Sequence, residues 1–190
     1  MDQPADILSP VARELVALDF RTAYTRLVVS GDGNPAAKKQ LDGLTPADLF
    51  IPMSGKSADD QKAALSGLWL WHDWLDQSHT LSQSLDNKTG SFWHAILHRR
   101  EGDFSNSKYW YARAEGHPAV QVLANQAGSV VNQMPADKLL FRIVANGWDP
   151  RALVDLVQEV HDDPSDARHS AAVSLQQLEW RVLFDHCTRK

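Results

Sequence analysis

"LSGLWLWHDWLDQSHTLSQSL", residues 65–85, decides the fold class, because its large apolar residues return at helical spacing and do not alternate as a strand would. Advanced by about 100° per residue, His72, Asp76, His79 and Gln83 fall within roughly 60° of one another and form one polar line. That line continues an apolar stripe of Leu65, Leu68 and Trp69, while Leu70, Trp74, Leu81 and Leu85 cover a second face. Lys62, Ser66, Asp73, Gln77, Thr80 and Ser84 make the narrow strip left for water. The pattern predicts a central helix from about Ser57 to Leu85, ending before "DNKTG", with its polar line at least half buried.

Working outward, helical punctuation recurs. Ser9-Pro10, Thr45-Pro46 and Asp149-Pro150 each place a capping side chain before a proline, which the first helical position tolerates. After Pro10, Val11, Leu15, Leu18 and Thr22 keep helical spacing until the stop at "SGDGNP", residues 30–35. Further helices are expected at about 90–101, 105–115, 118–133, 150–162 and 166–188. "KLLFRIVANG", residues 138–147, reads equally as strand or helix. The expectation is one all-α domain over residues 1–190, an antiparallel bundle of about seven helices around the 57–85 helix.

Composition agrees with a globular chain. With 190 residues, 43% hydrophobic and 23% charged, the protein lies far from the disordered regime, and folding should bury roughly 70% of the unfolded surface. A formal charge of −5 with scattered basic residues offers no field for a phosphate backbone, so nucleic acid is not an expected partner. Cys187 is the only cysteine, which excludes an internal disulfide and fits a reducing compartment. "MDQPADILSPVARELVALDF" is not patterned as a secretory signal, and no apolar run approaches the roughly 20 residues of a membrane span. A soluble, cytoplasmic protein is expected.

The candidate site lies between Trp69 and Trp110, which hold five of the seven tryptophans and four of the eight histidines. In "SFWHAILHRREGDFSNSKYW", residues 91–110, His94, His98 and Glu101 repeat the i, i+4, i+7 spacing of His72, Asp76 and His79. A short connection at about 86–90 makes the two helices antiparallel neighbours, so the lines can face each other. The stretch "EGDFSNSKYWYARAEGHP", residues 101–118, has the form of the second half of a tetratricopeptide-type hairpin. Gly102 would turn the chain, Ser107 and Ala114 would lie at the helix contact, Tyr111 would be the plug and Pro118 the stop. No second copy recurs at a fixed period, so a solenoid is not expected.

Buried imidazoles and carboxylates must be bonded, paired or metal-bound, since each unsatisfied group costs on the order of 1 to 3 kcal/mol. Three accounts are open. In a satisfied polar core the histidines bond to Asp76, Glu101 and main-chain groups, and the indoles donate into the same network. In a metal site His72, Asp76, His79, His94 and His98 are the candidate ligands of a divalent zinc, iron or manganese ion. In a small-molecule pocket His72 or His98 is the base with Glu101 as its partner, Arg99 or Arg100 meets an anionic group, and Trp69, Trp93 and Tyr109 form the platform. Metal-assisted hydrolysis is the working reading, and a non-catalytic helical interaction module is its rival. Asp103 or Ser105 can cap the following helix, Trp148 and Trp180 read as core, and His117, His161, His169 and His186 are isolated in pattern.

With these residues laid out, "GSFWHAILHRREGDFSNSKYWYARAEGHP" together with "GLWLWHDWLDQSHTLSQSL" resembles a family of uncharacterised bacterial all-helical proteins that carry near-identical wording at both places. The two motifs cover about fifty residues, roughly a quarter of the chain. The resemblance implies a shared site-like region and brings no substrate with it.

Overall fold

The computed structural model describes residues 7–134 and 136–189, among which the chain forms ten α-helices and one short 3-10 turn, with no strand. The helices are α1 (Pro10–Ala17), α2 (Pro35–Leu41), α3 (Ala58–Trp71), α4 (Leu75–Ser82) and α5 (Lys88–Glu101). They continue as α6 (Phe104–Arg113), α7 (Ala119–Val131), α8 (Lys138–Val144), α9 (Pro150–Val160) and α10 (His169–Thr188); the 3-10 turn is Pro46–Leu49. The all-α class is as expected, and the number of helices exceeds the expected seven for local reasons. Asn34 in "SGDGNP" is itself an N-cap, accepting from Ala36 N and Ala37 N with Pro35 at the first position, so α2 begins inside the apparent stop. Asp137 accepts from Leu139 N and Leu140 N and starts a helix in the ambiguous 138–147 stretch. The helix after Pro10 ends at Ala17, well before residue 30, and Asp19 and Tyr24 take left-handed backbone.

The principal correction concerns residues 57–85, which form two helices. His72 ends α3, Asp73 adopts φ 65°, and α4 starts only at Leu75. The carbonyls that would have continued the helix are taken by distant partners. Arg100 donates to Leu70 O at 2.7 Å, and Asn34 N donates to His72 O at 2.9 Å. Asp73 is then held from both sides, accepting from Arg100 at 2.5 Å and from Arg26 at 2.6 Å. A left-handed residue is costly for anything but glycine, and this polar clamp offsets the cost. Gly33 makes the approach of α2 to the break geometrically allowable, since a Cβ there would lie 2.3 Å from His72 O.

One buried cluster collects apolar side chains from Ile7 to Cys187. Within it α5 is buried continuously from Gly90 to Arg100, with α6, α4 and α3 packed against it. Gly67 on α3 lets the Trp93 ring come close, because a Cβ at 67 would stand 2.7 Å from that ring. No helix among the described residues is long and apolar enough to cross a membrane.

Candidate metal centre

Two antiparallel pairings build the site. α4 meets α5 with residues near Ser82 and Leu85 against Gly90, and with His79 against His94 and His98 further along. α5 then turns back at Gly102, which takes φ 83° and needs no Cβ there, and Asp103 caps α6 by accepting from Asn106 N. The returning helix sets Ser107 on the Ala95 carbonyl at 2.8 Å and Tyr111 on Phe92, so the expected hairpin is formed and its small residue is in the expected place.

Three imidazoles converge where α4, α5 and α6 meet. His79, His94 and His98 each offer a nitrogen, and these nitrogens all lie within 4.8 Å of one another. His79 Nε2 and His94 Nε2 are 2.9 Å apart, one ring donating to the other. Four nitrogens around a tetrahedral zinc sit about 3.3 Å apart, given Zn–N distances of about 2.0 to 2.1 Å. Holding an ion would require the wider separation to close and the narrower one to open.

Neighbouring groups fix the protonation pattern. His98 Nδ1–H donates to Glu101 Oε2 at 2.8 Å, and the Asn106 amide N–H donates to His98 Nε2 at 3.1 Å. The lone pair of His98 is thereby on Nε2, and a carboxylate stands behind the ring as it does behind most metal-bound histidines. Burial, with the charges of His98 and His79 adding to it, holds His94 down to about 4, so it stays neutral and able to ligate. Its ring stacks on Trp110 at 4.0 Å. His98 also lies in the last turn of α5, where the helix dipole favours a cation. His79 is half-buried and Glu101 exposed, which leaves one side open to solvent.

Other expected site residues lie elsewhere. His72 is enclosed and donates to Leu15 O at 3.0 Å; the break in the helix turns it toward α1, away from His79. Asp76 is exposed on α4 and outside the trio. Arg99 and Arg100 are wholly buried and committed. Arg99 bonds to Tyr111 at 2.5 Å and Glu179 at 2.6 Å, while Arg100 bonds to Asp73, Leu70 O and Arg26 O, so neither has a face left for an anionic ligand. Trp93 is core, and Trp69 near the C-terminal end of α3 packs under Lys38, whose Nζ lies 5.8 Å from its ring. Tyr109 is exposed and meets Trp110 edge-on at 5.5 Å, beside the trio.

Asn106 and Trp110 were not among the expected site residues, although the hairpin signal contained them. Positions equally far from the Gly102–Asp103 turn, 98 with 106 and 94 with 110, meet in an antiparallel pair. His117 and His186, read as isolated, also pair across the core edge at 4.5 Å, with Thr89 on His117 Nε2. Compared with protein-family models, with curated proteins and with solved structures, the chain matches none of them.

Proposed function

We propose that His79, His94 and His98 hold a single divalent transition-metal ion, zinc by preference, and that the protein uses it to hydrolyse a small molecule. The observation that carries this reading is the convergence of three neutral-capable imidazole nitrogens within 4.8 Å, one of them backed by Glu101. Three nitrogen ligands leave a fourth position for water, the arrangement of catalytic zinc sites, and the ion lowers the pKa of that water to about 7. An ion held there would supply a hydroxide able to attack an acyl or phosphoryl centre, the new bond to oxygen replacing the bond to the leaving group, which would take the proton. Glu101 orients His98 through Nδ1, Asn106, which now donates to His98 Nε2, would have to release that nitrogen for the ion, and Tyr109 with Trp110 supplies an aromatic flank for the substrate.

A satisfied polar core accounts for the trio less well. His94 Nδ1 is buried with no hydrogen-bond partner, and among the described residues no indole N–H reaches a histidine. The deciding experiment is elemental analysis of tag-free protein together with zinc titration by calorimetry. One ion per chain, lost in His79→Ala and in His98→Ala, supports the reading. Substoichiometric metal and no saturable zinc binding would leave the trio as a polar clamp between helices and end the hydrolytic proposal.

A further inference from the structure

A second feature lies apart from the histidine trio. A half-open cavity of about 840 Å³ is bounded by α7, α10, the end of α3 and the segment that follows α1. Its size falls within the roughly 300 to 1,000 Å³ typical of small-molecule sites. One wall is a continuous aromatic row. Phe20 meets Trp71 at 6.2 Å, Trp71 meets Trp180 at 4.3 Å, and Trp180 stacks on Phe184 at 4.6 Å with 11° between planes. Phe20 is 65% exposed and forms an apolar lip at the mouth. Trp71 is buried, and its indole N–H has no acceptor among the described residues.

The rest of the lining is mixed, with Leu8, Val16, Val130 and Leu178 apolar and Asn125, Ser129, Ser174 and Gln177 polar. Its charges are unbalanced. Asp185, the acid of the lining, is engaged by Arg189 at 2.6 Å. Arg181 bonds only to the neutral Gln126 amide at 3.2 Å, and Arg21 forms no ion pair among the described residues. Two guanidinium groups thus stand at an aromatic-walled cavity with no carboxylate of their own. Guanidinium recognises carboxylates by paired hydrogen bonds, and a flat ring can stack on the exposed Phe20 face and meet the edges of the buried Trp71 and Phe184 behind it.

We infer that this cavity binds an aromatic acid, a flat body of two or three rings ending in one carboxylate, with the rings along Phe20, Trp71 and Phe184 and the carboxylate between Arg21 and Arg181. The site is independent of the metal centre, since none of its residues belongs to α4, α5 or α6. Removing the metal ligands leaves it intact.

The test is calorimetric titration of the full chain with a naphthalene-carboxylate and with the matching naphthalene-carboxamide, which has the same body and no charge. The carboxylate is expected to bind saturably, to quench tryptophan fluorescence, and to bind about tenfold or more tightly than the amide. The double change Arg21→Gln and Arg181→Gln, both at exposed positions, should bring the carboxylate down to the amide's affinity without lowering the melting temperature. Ser129→Trp, which fills the cavity, should abolish binding of both. No saturable binding of either probe, equal affinity for the two, or an undiminished carboxylate preference in the double variant would overturn the assignment.

Discussion

The buried Arg99–Glu179 pair offers the sharpest test of the division between structural and functional residues. Both side chains have no exposed surface, and Tyr111 completes the triad by accepting from Arg99 and donating to Glu179 Oε1 at 2.9 Å. Glu179→Gln preserves the shape of the side chain and most of its hydrogen bonds while removing the only negative charge of the triad. Uncompensated buried charge of this kind costs about 3 to 5 kcal/mol, against a total stability of about 5 to 15 kcal/mol for a chain of ordinary stability. The loss is therefore a large part of what holds the fold. Urea unfolding, followed by circular dichroism and tryptophan fluorescence, measures it directly. The triple change Arg99→Met, Tyr111→Phe and Glu179→Leu removes charge and partners together and should recover at least half of the loss, because apolar replacement of a whole buried pair is close to neutral. A Glu179→Gln cost below about 1 kcal/mol would refute the reasoning and return Arg99 to the candidate ligand-binding residues.

Three further outcomes follow from the same geometry. His94 and His117 are each held by burial at about 4, against 6.5 unfolded, so the unfolded chain binds more protons between those values. Stability is then full above about pH 6.5 and falls as the pH drops toward 4, by roughly 1.4 kcal/mol per pH unit for each histidine; a flat melting temperature over that range would contradict this. Glu101→Gln removes the carboxylate behind His98 and should weaken zinc binding by about 10- to 100-fold with the fold intact, as read by calorimetry. Gly67→Ala forces a methyl into the Trp93 and Phe184 rings, whose nearest atoms would lie at 2.7 and 3.3 Å, and should cost about 1 to 3 kcal/mol in urea unfolding; a neutral effect would show that the α3–α5 contact is looser than described.

Much of the candidate site was legible in the sequence because it rests on local geometry. His94, His98 and Glu101 share a helix, so their spacing alone puts them on one face, and Gly102 with the Asp103 cap announces the reversal that delivers α6. His79 was found on the correct line but paired with the wrong companions, His72 and Asp76. The arginines misled for a different reason. "HRRE" has the composition of a surface anion site, and nothing in it tells that Asp73 and Glu179, far away in the chain, will bury both guanidiniums.

By itself, then, the sequence determined what depends on neighbours within a few residues: helical periodicity, capping at Ser9 and Asp149, the turn at Gly102, and two imidazoles one helical turn apart. Only the tertiary structure decided where the long helix breaks, because at the break Arg100 donates to the carbonyl of Leu70 and Asn34 to that of His72. A helix continues wherever its own hydrogen bonds are the best available, and partners brought by the fold supplied better ones here. That exchange turned His72 to α1, left His79 facing α5, and thereby chose which three histidines meet.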